Sequence, residues 1–436
     1  MKETALRNTI YESVLDLATD EGINASGKEE IYGCIFGRDS FITINKLLKV
    51  YSNPATRTHI DPEPLRAMSK TALTTLMTLQ GKEFNIESGE EPGKFIHEYR
   101  KEKHERLTKR EVNPWYVYPD NIFRNYDSVD STPLGLIAIN NYWEATHDDA
   151  FLLKALPSVE AGLNWMITYG DRDKDQLLEY EFPKKRKHWG LHVQSWTDSM
   201  ESVTQADGKF PLYPIAPVEV QGYAWLAFKK WADFYGDMNH NYAKTENFAH
   251  KLEAQAAQIK KRFNELFLFE SEGHMFPAQA LDGDKNQLKT VTGNPLLLLW
   301  SGYNKDGRYE SILEDKYIPG LVKRSFMPDM FEHDAGIRTM STASSTYIPG
   351  QNSYHNGSFW PKLNGMAHEG LVNFGYREEA EKLHAATMAP IHHFGSPIEL
   401  YVKHENQYMP YQNERGQQAC KQQAWSAAVA LDLLTL

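Results

Sequence analysis

The chain of 436 residues is short of several things, and each shortage closes off a class of function. It has only two cysteines, Cys34 and Cys420, so no disulfide framework is implied and a reducing cytoplasm is the expected setting. No apolar run approaches the ~20 residues that span a bilayer, and Met1 to Gly22 lacks the basic-then-apolar order of a secretion signal. No membrane partner is expected. Positive charge is scarce, with 47 Lys and Arg against 58 Asp and Glu and a net charge of −11. That balance disfavours nucleic acid, whose phosphates call for clustered cations. Strand patterning is nearly absent, with short pieces only around Phe276 and Ile398. There is no HExxH and no recognisable metal spacing; the doublet His392-His393 reads as structural, and neither metal nor cofactor is expected.

What is present is a globular composition, 41% hydrophobic and 24% charged, enough to bury a large core. Aromatic residues are plentiful, with 10 Trp, 23 Tyr and 20 Phe. Most belong to a core, but a sugar site also uses aromatic faces.

Apolar residues at helical spacing predict twelve helices. They run over Thr4–Ala18, from Asp39 to about Tyr51, after Pro64 to Leu79, from Asp130 to Ala145 and from Asp149 to Tyr169. Others follow Gln221 to Tyr235, cover Phe248 to Leu266, open at Asn294, span Tyr309–Lys323, open at Trp360, span Arg377–Met388 and close with Gln417–Leu434. A long charged excursion interrupts them at about 83–121. Asp171-Arg172-Asp173-Lys174-Asp175 resembles a calcium loop, but Gln176 stands where glycine belongs and Phe182 where the bidentate glutamate belongs. It reads as a turn.

Every second helix opens after a loop dense in Asp, Glu, Asn, Gln, Gly and aromatics, near Asp39, Asp130, Glu219, Asn294, Trp360 and Gln423. Six such helices, each followed by a return helix, describe a double ring whose inner N-termini converge at one end. Those N-termini offer unpaired N–H groups and partial positive charge. Ordinary capping accounts for the Asp, Ser and Asn in these loops, but not for Phe36, Trp196, Trp360 and Trp425.

Ser195-Trp196-Thr197-Asp198-Ser199-Met200-Glu201 places one carboxylate beside an indole. Desolvation there raises the pKa of Asp198 and suits it to hold a proton as a general acid. The same residues also read as a helix N-cap or a turn aspartate.

With the loops aligned, the chain resembles the (α/α)6-barrel glycoside hydrolases, especially the glucosidase domain of glycogen debranching enzymes and the sugar-glycerate hydrolases. The resemblance rests on Phe36-Gly37-Arg38-Asp39-Ser40, Glu91-Pro92-Gly93-Lys94-Phe95-Ile96-His97-Glu98 and Tyr126-Asp127-Ser128-Val129-Asp130-Ser131-Thr132. It continues through Trp196-Thr197-Asp198-Ser199, Val218-Glu219-Val220-Gln221, His355-Asn356-Gly357-Ser358-Phe359-Trp360-Pro361 and Gln423-Ala424-Trp425-Ser426. It implies an all-α, single-domain (α/α)6 toroid over residues 1–436, with long loops and a few short strands at the active-site end.

The family works by inversion with two carboxylates. Asp198 matches the acid and Glu399, in Ser396-Pro397-Ile398-Glu399-Leu400-Tyr401, the base, with Glu405 and Glu369 as the other candidates. Glu399 also reads as a strand-edge glutamate. Inversion calls for carboxyls roughly 6.5–9.5 Å apart. By the same resemblance Arg38 and Asp39 contact sugar hydroxyls, Phe36, Trp360 and Trp425 wall the pocket, and Asp130, Trp196, Gln221, His355, Asn356, Gly357 and Gln423 complete the substrate site. His97 and Glu98 belong to a loop expected to close over it.

The extra domains of debranching enzymes are missing, so the implied activity is an α-glucosidase of the debranching type acting on oligosaccharides or small glycosides. A glucosyl- or mannosyl-glycerate hydrolase is the nearest rival. Lys184-Lys185-Arg186-Lys187-His188 and the basic residues from Lys101 to Arg110 could attract an anionic leaving group, or be a solvated face. A non-hydrolytic carbohydrate-binding protein and a sugar epimerase are the readings from other classes. The expected partner is a carbohydrate; nothing in the residues speaks to oligomeric state.

Overall fold

The computed structural model describes residues 3–237 and 246–435. Thirteen helices occur among them: α1 (Glu3–Asp16), α2 (Gly37–Ser52), α3 (Glu63–Thr78), the single turn α4 (Glu105–Thr108), α5 (Ser131–Thr146) and α6 (Asp149–Thr168). They continue with α7 (Val218–Gly236), α8 (Glu246–Leu266), the short α9 (Leu297–Trp300), α10 (Ile318–Ser325), α11 (Pro361–Asn373), α12 (Arg377–Phe394) and α13 (Ala424–Leu434).

Two kinds of helix alternate, and burial tells them apart. In α2 every residue from Gly37 to Leu48 is buried, and α5, α7, α11 and α13 are likewise buried on nearly all sides. A helix apolar or uncharged all round belongs inside. By contrast, α3 buries one stripe, Leu65, Met68, Ala72, Leu73 and Leu76, and α8 buries Leu252, Ala256, Ile259 and Phe263 on an otherwise charged helix. The buried helices touch in sequence: α2 packs on α5, α5 on α7, α7 on α9, α9 on α11, α11 on α13, and α13 returns to α2. Each carries a neighbour on its outer side: α3 on α2, α6 on α5, α8 on α7, α12 on α11 and α1 on α13. The outer partner of α9 is α10, which meets the 3₁₀ turn Asn294–Leu296 leading into it. One connected set of buried apolar side chains runs from Leu6 to Leu434.

Close approach within the ring depends on small residues. A Cβ on Gly365 of α11 would lie 2.2 Å from Cγ1 of Val429 on α13. Far from the loop-rich end, Lys46 and Lys49 of α2 meet Glu369 of α11 and Asp432 of α13. Lys46 Nζ lies 2.5 Å from Glu369 and 3.0 Å from Asp432, and Lys49 Nζ lies 2.9 Å from Asp432.

The strands are short and numerous. The charged excursion is anchored by a three-stranded sheet, Ile35–Phe36 with Glu98–Arg100 with Phe123–Asn125, that pins it to the start of α2. A second three-stranded sheet (Ala216–Pro217, Ala280–Leu281, Gln287–Leu288) leads into α7.

Three expectations change. Tyr309 lies in a hairpin, Tyr303–Lys305 with Arg308–Glu310, whose turn has positive φ at Asp306 and Gly307, and helix resumes only at α10 with Pro319 in its first turn. The helix at Asn294 is one turn of 3₁₀ and one of α, with Pro295 opening it. The last helix starts at Ala424, because Asn413–Gly416 turns and Gln412 bridges Gln418. The strand expected near Ile398 is the hairpin Tyr401–His404 with Gln407–Pro410. Among the described residues no helix is long and apolar enough to cross a membrane.

Candidate active site

The ring helices begin without conventional caps. Phe36, Asp130, Pro217, Trp360 and Gln423 precede α2, α5, α7, α11 and α13, and Gly293 precedes the 3₁₀ turn; none uses a side chain to cap. In contrast, Asp148 caps the outer helix α6 by accepting from Phe151 N at 3.0 Å. The polar side chains at the ring's N-termini are therefore free for other partners, and they find one another.

Arg38 Nε donates to Asp130 Oδ2 at 2.7 Å and Arg38 Nη1 to Asp198 Oδ2 at 3.1 Å. Gln423 Nε2 donates to Asp39 Oδ1 at 3.0 Å. Asn294 Nδ2 donates to Glu219 at 3.3 Å, and Asn294 Oδ1 accepts from the indole N–H of Trp196 at 3.1 Å. Five of the six helices, all but α11, thus send a polar side chain from the first turn, or from the residues just before it, into this network.

Above that network is a cavity with about 380 Å³ of empty space open to solvent, lined by Tyr32, Phe36, Arg38, Asp39, His97, Trp196, Asp198, Tyr354, His355, Trp360, Glu399, Gln423 and Trp425. Its walls are aromatic. His355 stacks on Trp360 at 5.0 Å between ring centres, Trp196 meets Trp360 edge-on at 5.7 Å, and Trp425 meets Trp360 at 5.9 Å. Five polar atoms of lining residues are buried without a protein partner: Arg38 Nη2, His97 Nδ1, His355 Nε2, Gln423 Oε1 and Trp425 Nε1. Unsatisfied buried groups are costly, so a cluster of them around one cavity marks a place where a polar ligand completes the bonding.

Two carboxyl groups face this space from different loops. Asp198 lies in the wall with 27% of its side chain reachable by solvent. Burial raises its pKa to about 6, against the opposing pull of the Arg38 guanidinium. Glu399 is almost fully buried, and burial raises it to about 7 even though Tyr354 and Cys420 favour its charged form. The Tyr354 hydroxyl donates to Glu399 Oε1 at 2.6 Å and the Cys420 N–H to Oε2 at 2.8 Å. A carboxylate has about four acceptor positions, so two remain for water. Asp39 is also raised, to about 7, by burial. His97 and His355 are held well below the usual histidine range, first by burial and then by Arg38, and so are neutral hydrogen-bonding groups at neutral pH. The N–H of Ser199 donates to His355 Nδ1 at 3.3 Å, which leaves the proton on Nε2, an atom buried without a protein partner.

Of the residues singled out in the sequence, Phe36, Arg38, Asp39, Trp196, Asp198, His355, Trp360, Glu399, Gln423 and Trp425 come together here. Asp130 lies beneath, behind Arg38. Gln221 does not reach the cavity: its amide is consumed by Leu178 N, Leu178 O and Pro217 O. Asn356 ties loops by donating to Glu201 O and Thr346 O, and Gly357, at φ +125°, packs where a Cβ would strike the Tyr347 ring. Neither lines the cavity. Glu369 belongs to the lysine cluster at the far end, and Glu405 sits exposed at a hairpin tip. His97 lines the cavity, whereas Glu98 is turned to Arg100. His392 and His393 are exposed at the end of α12.

Parts of the basic segments pair away from the cavity, Arg186 with Asp127, Lys101 with Glu21 and Lys103 with Glu29, while Lys184, Lys185 and Lys187 are exposed. The acidic loop at 171–179 gathers Asp171, Asp173, Asp175 and Glu179 within 4.8 Å of one another. The Lys285 ammonium lies among them, 2.8 Å from Asp173, 3.0 Å from Asp175 and also bonded to Glu179.

Tyr32, Tyr354 and Lys362 were not singled out. The two tyrosines sit beside residues that were, at the start of the aromatic loop before Arg38 and immediately before His355. Lys362 gave no signal beyond its place in the first turn of α11.

No family model matches the chain, and no curated protein matches it by sequence. Solved structures do. A GH63 mannosylglycerate hydrolase from Thermus thermophilus, in complex with Tris, superposes with a TM-score of 0.64 at 14% identity, over 98% of this chain and 99% of that one. A metal-independent α-mannosidase from Streptococcus pneumoniae, in a non-productive complex with α-1,6-mannobiose, gives 0.60 at 13%, over 99% and 93%. A glycosidase E335A variant in complex with glucose gives 0.58 at 11%, over 99% and 96%. The likeness is one of fold, and it extends the resemblance read from the loops to nearly the full length of the chain.

Proposed function

We propose that the chain is an inverting exo-α-glycosidase on a single-domain (α/α)6 toroid, removing a terminal glucosyl or related residue. One observation carries the reading. A single small cavity combines aromatic walls, five unsatisfied buried polar atoms and three carboxyl groups, Asp39, Asp198 and Glu399, whose pKa values burial raises to about 6 or 7. Indole faces suit the C–H face of a sugar, and unsatisfied donors and acceptors suit its hydroxyls. The closed order of the buried helices supports the toroid.

In this reading Asp198 donates its proton to the glycosidic oxygen as the bond to the anomeric carbon breaks. Glu399 takes a proton from a water that attacks that carbon from the opposite face. Arg38 bonds Asp198 in its charged form, so it stabilises the carboxylate left after transfer. Tyr354 and Cys420 hold Glu399 in one orientation. Asp39, Gln423 and the two neutral histidines contact hydroxyls. No step calls for a metal or cofactor.

The cavity is small, with only about 50 Å³ open to water-sized atoms once outside solvent is left out, which favours one terminal sugar over an internal stretch of polymer. The one cation among its described lining residues, Arg38, is already shared between Asp130 and Asp198. A neutral leaving group, as in a short α-linked oligosaccharide, is therefore the first choice. The second reading, a glucosyl- or mannosyl-glycerate hydrolase, is favoured by the near-complete superposition on a mannosylglycerate hydrolase.

The test is a panel of terminal α-glucosides, α-mannosides and both sugar-glycerates, with Asp198→Asn alongside. Turnover of a neutral glycoside, abolished in the variant, is the expected result. Turnover of sugar-glycerates alone selects the second reading. Sugar binding without turnover by either protein overturns both.

A further inference from the structure

Lys362 is the second residue of α11, fully buried, and its Nζ has no hydrogen-bond partner. It lies 3.9 Å from the centre of the Trp196 ring and 5.7 Å from that of Trp425, two walls of the cavity it does not itself line. Cation–π contacts of this kind gain strength when desolvated. Around it are Glu219 of α7, Asp130 before α5, Arg38 and Asp39 of α2, and His355. Glu219 mirrors the lysine: it is fully buried, and its Oε1 has no partner.

A lone buried charge of either sign is unfavourable, and two opposite ones near each other relieve both. Packing alone would be served by methionine at this site. The lysine costs desolvation, which pulls its pKa down to about 7, and when protonated it sets charge against the Trp196 and Trp425 rings and near Asp39.

We propose that Lys362 is a positioning residue of the cavity floor, bracing Trp196 and Trp425 against the sugar and balancing Glu219 and Asp39 from below. The proposal rests on the reading of the cavity as a sugar site. Loss of Lys362 leaves Asp39 with one positive neighbour fewer, so its affinity for a proton rises and it becomes a poorer acceptor for a substrate hydroxyl.

The experiment compares Lys362→Met, Glu219→Gln and the double variant by thermal unfolding, near-ultraviolet circular dichroism and steady-state kinetics on the best glycoside of the panel. Lys362→Met alone should melt lower, on the order of 5 °C, because Glu219 is left uncompensated, and the double variant should regain most of that loss. In the double variant KM should remain raised by about tenfold, with kcat changed less and the aromatic dichroism still altered. Additive melting losses would overturn the balancing of Glu219. A double variant with wild-type stability, dichroism and KM would reduce Lys362 to a fold residue and overturn the positioning. If the wild type turns over nothing on the panel, it is the glycosidase reading that fails. The melting cycle and the dichroism still decide whether Lys362 balances Glu219 and braces the indoles.

Discussion

Asp198 and Glu399 both hold protons more tightly than free carboxyls because both are buried, but their partners differ. Asp198 faces a guanidinium, and Glu399 faces a phenol and a backbone N–H. With values of about 6 and about 7, the pair carries one proton between them over that interval, mostly on Glu399, and the proposed mechanism draws on the minor form with the proton on Asp198. The kcat/KM profile should therefore be a bell with its maximum between about pH 6 and pH 7. In the proposed roles the low-pH limb follows the lower value, about 6, and the high-pH limb the higher value, about 7. Tyr354→Phe removes a donor that favours the ionised form of Glu399, raises its pKa and should move the high-pH limb upward by about one unit while lowering the maximum. A limb that stays in place would assign it to another group. Asp198→Asn should lower kcat by at least about 10³-fold while leaving the melting temperature close to wild type, as followed by initial rates and circular dichroism. At this scale the placement of both carboxyls at the cavity was legible: Asp198 stood out from its indole neighbour, and Glu399 from the family resemblance. Tyr354 was not, because its role depends on which carboxylate it meets across 45 residues of chain.

At the level of elements, the loops that open the ring helices carry the proposed chemistry, and the opposite end of the same helices ties α2 to α11 and α13. Lys46 and Lys49 of α2 clasp Glu369 of α11 and Asp432 of α13. Burial pushes the two carboxyls up, but the lysines outweigh it and hold both below the usual carboxylate range. Their contribution to stability is present above the unfolded pKa, ~4, and is lost as pH falls through the lower folded values. Asp432→Asn should destabilise by about 3 kcal/mol at neutral pH, because Lys46 stays buried with one partner fewer. The gap from wild type in urea unfolding should narrow as pH is lowered below ~4. A gap independent of pH would mean that packing, not charge, sets the loss. The long buried helices α2, α5, α7 and α11 were readable because their apolar spacing is continuous. The short α9 and α10 were not: Pro295 and Pro319 break the spacing, and tertiary packing rather than local pattern decides where each turn stops.

The whole molecule is organised as a closed succession of contacts in which α13 returns to α2 and α1 covers α13, so the two ends of the chain are packed together. That closure could be anticipated from the alternation of rich and plain loops, although the sheets that pin the charged excursion and lead into α7 could not, since two or three residues per strand carry no period. The acidic loop at 171–179 is held by Lys285, an ammonium from a distant part of the chain. Chelators should therefore leave the melting temperature unchanged, whereas Lys285→Ala should lower it and make it rise with added calcium. A wild-type protein that loses stability in EDTA would contradict this.

The most direct test of the central claim is proton NMR of the first minutes of hydrolysis of an α-linked glycoside, before mutarotation. The account predicts that the β-anomer of the released sugar appears first; the α-anomer appearing first would contradict it, since Glu399 could not then be the base of an inverting reaction.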